Sequence, residues 1–251
     1  MLPRRPGPVA IFVARLAGRP GSLVGIQRQY RDPRRMTQWL RWLLIATALI
    51  HIVYGACNVL QALMLSAMIN DLPSQSMLAA ATMARELREG APVVLLTIVY
   101  CGAILVFAVW TYRMNANIHA LGSNLRFTPG WAVGWYFVPI ANLWKPYQVM
   151  RELWLVSNNP ADWQTGRTSK LLSWWWTAWL TYLFFPLVSF VYVVRLSVQG
   201  NVFSQLRLME FFGVVYAVLG LVAAILAYFM VTKISELQAQ AADRSLSAVF
   251  A

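Results

Sequence analysis

The chain has 251 residues, of which 59% are hydrophobic and 12% charged. Soluble domains carry about a quarter charged residues, and no polar stretch here is long enough to bury its own core, so the composition excludes an ordinary soluble domain and points to one membrane bundle. The formal net charge is +12, which admits nucleic acid or an anionic membrane surface as partner.

The placement of the charge decides between these partners. Nine of the 21 Lys and Arg precede Leu43 (Arg4, Arg5, Arg15, Arg19, Arg28, Arg31, Arg34, Arg35 and Arg41), and only Asp32 opposes them. A basic arm directly before an apolar span is the positive-inside signature. Anionic headgroups attract such segments by about 1 kcal/mol per residue near the surface, so lipid is the expected partner and nucleic acid is not. Residues 1–36 read as a flexible basic arm. Its apolar patch, Val9 to Leu16, is too short to cross ~30 Å of hydrocarbon. Met36, just before the first span, offers an alternative start.

The first span is expected over about 39–68, with Trp39 and Trp42 at headgroup level. Within it His51, Tyr54, Asn58 and Gln61 recur at helical spacing, which puts all four on one face. Polar groups facing lipid are costly, so this face should turn into the bundle or a wet cavity. It either ties helices together by hydrogen bonds or handles protons or a ligand around His51. Residues 69–91 form a connection whose charges cancel apart from Asp71, in which Ser74 or Ser76 caps a short helix through Leu87. A second span follows over about 92–112.

The third and fourth spans fall at about 171–194 and 211–232, and residues 234–251 read as a polar tail. Trp174, Trp175, Trp176 and Trp179 cluster at one end of the third span and should mark the interface, and Pro186 should kink it. Gly213 and Gly220, seven residues apart in the fourth, can face one neighbour closely. The segment 113–170 holds six Lys and Arg, whereas 69–91 and 195–207 hold two each. Both termini and the central segment are therefore expected in the cytoplasm.

Between the second and third spans lies a Pro/Gly-broken stretch, 129–157, apolar enough to enter a bilayer but punctuated by Pro129, Gly130, Gly134, Pro139 and Pro146. Trp131 to Trp144 suits a re-entrant or interfacial segment better than a span. From Pro146 onward, Val149, Met150, Leu153, Trp154 and Ser157 lie along one side of an amphipathic cytoplasmic helix, with Gln148, Arg151 and Glu152 turned away. Asn142 should satisfy the broken backbone, and Glu152 should pair with an arginine. The fold class is thus all-α integral membrane: four transmembrane helices in a domain over 37–233, with one broken segment and a following amphipathic helix.

The run Phe127-Thr128-Pro129-Gly130-Trp131-Ala132-Val133-Gly134-Trp135-Tyr136-Phe137-Val138-Pro139-Ile140-Ala141-Asn142-Leu143-Trp144-Lys145-Pro146-Tyr147, with Met150-Arg151-Glu152-Leu153-Trp154 and Trp174-Trp175-Trp176-Thr177-Ala178-Trp179, resembles a bacterial multi-pass membrane family known as domain-of-unknown-function family 4328. The resemblance covers roughly Trp39 to Lys233. It implies a four-helix protein of a bacterial inner or plasma membrane, and it carries no activity.

No catalytic constellation stands out. There is no GxSxG, HExxH or phosphate-binding loop, and all nine carboxylates fall outside the four expected spans. His119 reads as a surface residue. Cys57 and Cys101 lie in apolar runs without metal-ligand spacing and read as small buried hydrophobes, so no metal or other cofactor is expected. The leading reading is a non-enzymatic module that binds lipid or protein at the cytoplasmic leaflet, as a homo-oligomer or with a membrane partner. Its candidate surface comprises Arg126, Trp131, Asn142, Trp144, Lys145, Arg151, Glu152, Trp154, Arg167 and Lys170. The alternative is a small oligomeric transporter or channel using the polar face around His51.

Overall fold

The structure is a computed structural model, and it describes residues 30–70, 74–89, 91–121, 125–197 and 202–250. Most of the expected arm, including its Val9–Leu16 patch, lies outside the described residues. Seven α-helices are described: α1 (Arg34–Asn70), α2 (Gln75–Glu89), α3 (Ala91–Leu121), α4 (Pro129–Gly134), α5 (Lys145–Asn158), α6 (Lys170–Ser197) and α7 (Val202–Phe250). Two 3₁₀ turns, Trp135–Phe137 and Ala141–Leu143, link α4 to α5.

Four of these helices, over Arg34–Met68, Val94–Leu121, Lys170–Arg195 and Gln205–Arg244, are long and apolar enough to cross a membrane. They include the four expected spans, but two run well past the expected ends. α3 continues through Arg113 to Leu121, and α7 continues through the stretch read as a polar tail. The physical reason is burial. Met114, Asn115, Asn117 and Ile118 on α3 are buried, as are Ile234, Ser235, Gln238 and Ala241 on α7. Tertiary packing stabilises these helical turns where hydropathy alone had marked an end. α6 runs unbroken through Pro186. Ser74 caps α2 as expected, its Oγ accepting from the Met77 N–H at 3.2 Å.

The chain divides into two compact units. One comprises Met1–Arg41, Leu105–Ser173 and Phe229–Ala251; the other comprises Trp42–Ile104 and Trp174–Tyr228. The largest fully buried side chains, among them Leu40, Trp110, Met114, Met150, Leu153, Leu172 and Met230, all belong to the first. This unit therefore has a close-packed interior of large side chains, where the sequence suggested connecting segments. Its polar ties are also buried. Thr37 Oγ1 and Ser235 Oγ lie 2.8 Å apart, and Trp110 Nε1 donates to both, at 3.2 and 3.3 Å.

The second unit carries large apolar side chains outward, including Ile52, Leu95, Ile98, Leu187 and Phe190. Water would oppose so continuous an apolar exterior; hydrocarbon would not. Inside it, Gly220 lies against His51, and Gly213 against Asn58, so closely that a Cβ on either glycine would overlap those side chains. Numbering rises along α1 as it falls along α7, so the two helices run antiparallel, and the two glycines face one neighbour as expected. Trp175 and Trp176 are buried in this unit, although Trp174 is exposed. Trp176 instead stacks on Trp179 at a 4.9 Å centroid distance. Part of the expected interfacial tryptophan cluster is therefore core.

Candidate functional site

The first unit presents the broken segment. Pro129 opens α4, where a missing N–H costs nothing, and the Ala132 N–H bonds Thr128 O at 2.8 Å. After the 3₁₀ turn at Trp135–Phe137 the backbone extends at Val138, with φ −93° and ψ 107°. The chain bends again before α5, whose first turn holds Pro146. The consequence of these breaks is a ridge. Phe137 and Ile140 are 74% and 72% exposed, flanked by exposed Trp131 and Trp144.

Lys145 sits at the foot of this ridge. Its ammonium lies 5.3 Å from the Trp135 ring centroid and 5.6 Å from that of Phe127, close enough for cation–π attraction. Trp135 in turn packs on Trp131 at 4.7 Å. No carboxylate pairs with Lys145 among the described residues. Arg126, Arg151, Arg167 and Lys170 are exposed in the same unit, with Arg151 Nε donating to Thr168 Oγ1 at 2.9 Å. Trp154 is half-buried in α5. The structure therefore joins Lys145 to Trp131 through Trp135, two of whose three residues the sequence had singled out. Phe127 and Trp135 were missed, because nothing local distinguishes a platform ring from any other aromatic.

Two expectations here are corrected. Glu152 is 3% exposed rather than turned to solvent, and it pairs with backbone instead of an arginine side chain. Its carboxylate accepts the Arg126 N–H at 2.8 Å and the Phe127 N–H at 3.3 Å. Burial pushes its pKa upward, and the two amide bonds and the charges of His119 and Arg126 only partly offset this. Glu152 is thus a scaffold for the turn entering α4. Among the described residues the Asn142 side chain does not satisfy the broken backbone, for its buried Oδ1 has no partner there. On α5, Val149, Met150, Leu153 and Ser157 are buried as predicted, but so are Leu155 and Val156, leaving only a narrow polar strip.

His119 is exposed, as expected, and its Nε2 donates to Phe127 O at 2.9 Å. Asn117, two residues before His119, is a buried bracket. Its Nδ2 donates to Arg31 O at 2.8 Å and Gln238 Oε1 at 2.9 Å, and its Oδ1 accepts the Arg31 N–H at 3.0 Å. The signal was available: Met114, Asn117, Ile118 and Leu121 share the helical spacing of a buried face.

In the second unit His51, Asn58 and Gln61 are buried and Tyr54 is half-buried, so the polar face does turn inward. His51 Nδ1 lies 2.8 Å from Thr47 O. A carbonyl only accepts, so Nδ1 carries the proton and Nε2 of the neutral ring accepts. The Tyr182 hydroxyl, 3.3 Å away, is then the donor to Nε2, and Tyr216 donates to Tyr182 at 2.6 Å. Asn58 Nδ2 donates to Tyr54 O at 2.6 Å, and Gln61 Nε2 donates to Ala81 O of α2 at 2.5 Å. Helix ties of this kind were the first of the two expected uses of this face.

Arg88 closes the constellation. Its Nη1 donates to Glu210 Oε2 at 2.6 Å and to Asn58 Oδ1 at 3.3 Å, and its Nη2 to Glu89 at 2.9 Å. Arg88 and Glu210 side chains are only 17% and 14% exposed. Desolvation opposes the Arg88 charge, but the bonds to Glu89 and Glu210 outweigh it and raise its pKa, while Arg88 and Arg85 hold Glu89 below its ordinary value. Glu210 lies within the described α7, inside a membrane-length helix rather than beyond a span as expected.

No curated protein and no solved structure matches the chain. A family match does cover residues 73–236. It takes in the broken segment, Lys145, Glu152, Arg88 and Glu210, but starts after the His51 face, whereas the expected resemblance began near Trp39. With well over half its length so matched, the chain belongs to the family described as Domain of unknown function (DUF4328).

Proposed function

We propose that this is a non-enzymatic protein of a bacterial inner membrane, with both termini cytoplasmic, that binds anionic lipid headgroups through the ridge of its first unit. One observation carries the reading: exposed Phe137 and Ile140 stand beside a lysine held on aromatic rings and free of any carboxylate among the described residues. Apolar side chains at such a tip enter the headgroup–acyl boundary, and an adjacent cation meets phosphate there. The charge distribution supports it. The second unit's described basic residues are Arg85, Arg88, Arg195 and Arg207, and three carboxylates, Glu86, Glu89 and Glu210, accompany them. The first unit carries Arg113, Arg126, Lys145, Arg151, Arg167 and Lys170 over residues 113–170 alone, against Glu152 and Asp162.

Native mass spectrometry of gently extracted protein tests this. Wild type should retain phosphatidylglycerol or cardiolipin, and Lys145→Glu with Arg151→Glu should lose it. Equal retention by both would refute the reading. The transporter alternative draws less support, since His51 is engaged at both ring nitrogens and its face is packed against Gly220.

A further inference from the structure

Inside the second unit is a cavity of about 370 Å³. Small-molecule pockets begin at about 300 Å³, so it accommodates a ring-sized head but not a whole lipid. Val53 and Tyr100 line it and are themselves exposed, on helices whose outer surfaces carry Ile52, Leu95 and Ile98. A molecule entering there comes from hydrocarbon. Arg88 is the charged residue on the lining, and Glu210 and Glu89 already neutralise it. His51 has both ring nitrogens engaged, by Thr47 O and the Tyr182 hydroxyl. Neither group is left open to pair with an ionic head, which disfavours one.

What the lining does offer is aromatic surface and the Tyr54 hydroxyl. Tyr182 and Tyr216 stack at a 4.6 Å centroid distance with a 17° interplanar angle, and Tyr54 meets Tyr216 edge-on at 6.4 Å. The hydroxyls of Tyr182 and Tyr216 are spent on the chain to His51, whereas the Tyr54 hydroxyl has no hydrogen-bond partner among the described residues. Flat aromatic walls favour a flat ring, and a phenol at the lining favours a carbonyl acceptor. We propose that the cavity binds the head of a quinone-type lipid: a flat, uncharged, carbonyl-bearing ring whose alkyl tail extends into the bilayer, with Tyr54 donating to a ring carbonyl.

The probe is decyl-benzoquinone, titrated onto the full chain in phosphatidylcholine nanodiscs with bound ligand separated and counted. The expected result is saturable binding at one molecule per chain. Tyr54→Phe should weaken it about three- to tenfold, the worth of one hydrogen bond. Val53→Trp, which fills the cavity where it meets the exterior, should abolish it, and dioleoylglycerol should not compete. Tyr54→Phe keeps the ring and removes a hydroxyl with no partner among the described residues, so it tests the proposal even where Val53→Trp does not fold. Uptake no greater than by empty nanodiscs, Tyr54→Phe binding equal to wild type, or competition by dioleoylglycerol would each overturn the assignment.

Discussion

Replacing Glu210 by Gln should expose how much of the second unit depends on one ion pair. At 2.6 Å, and at an effective dielectric of about 20, the attraction between Arg88 and Glu210 is on the order of 6 kcal/mol. Desolvation of both groups consumes much of that, and removing one partner from a buried pair typically costs 3–5 kcal/mol. Arg88 keeps Glu89 as a second acceptor, which lowers the expected loss for Glu210→Gln to about 2–4 kcal/mol. Arg88→Met should cost a similar amount, because it strands Glu210 and frees Asn58 Oδ1. The double variant should cost little more than either single, giving a coupling of about 1.5 kcal/mol or more. The assay is a double-mutant cycle on reversible unfolding in mixed micelles. Additive losses, with coupling below about 0.5 kcal/mol, would refute the claim that the pair acts as a unit.

Three further outcomes follow from the packing. Gly220→Leu should lower unfolding stability by about 1–3 kcal/mol, since its Cβ would overlap His51; Gly102→Ala, with nothing within 4 Å of the added carbon, should not destabilise, and thermal melts compare them. Asn117→Leu should cost about 2–4 kcal/mol by stranding the Arg31 backbone and Gln238, and amide exchange at Arg31 should quicken. Glu152 supplies a pH test. Its folded pKa lies above the ordinary 4.5, so between the two values the unfolded chain holds fewer protons and stability falls as pH rises from about 4.5. Glu152→Gln should remove that fall, read as melting temperature against pH.

The elements that obey local rules were legible. Long apolar runs became the membrane-length helices, the Ser74 cap is where its hydroxyl could reach a free amide, and the three-and-four spacing of His51, Tyr54, Asn58 and Gln61 correctly predicted an inward face. The spacing of Gly213 and Gly220 correctly predicted a close neighbour. What escaped were long-range choices. Glu152 looked like a surface charge because its backbone partners lie 25 and 26 residues away. Arg88 and Glu210 looked like charges of two separate connections, and only the antiparallel run of α1 and α7 and the docking of α2 bring them together. The stretch after Lys233 looked like a polar tail, yet Ile234, Leu237 and Ala241 at helical spacing have a core to enter. Hydropathy reports a preference for oil, not for a packed protein interior.

The claim that the ridge enters the membrane is tested most directly by a spin label at Phe137→Cys, with Cys57 and Cys101 replaced by Ala, in nanodiscs containing phosphatidylglycerol. The account predicts that molecular oxygen, concentrated in hydrocarbon, relaxes the label more effectively than a water-soluble nickel chelate, and that a label at exposed Arg167→Cys shows the reverse. A Phe137 label relaxed chiefly by the nickel chelate would place the ridge in water and contradict the headgroup-binding account.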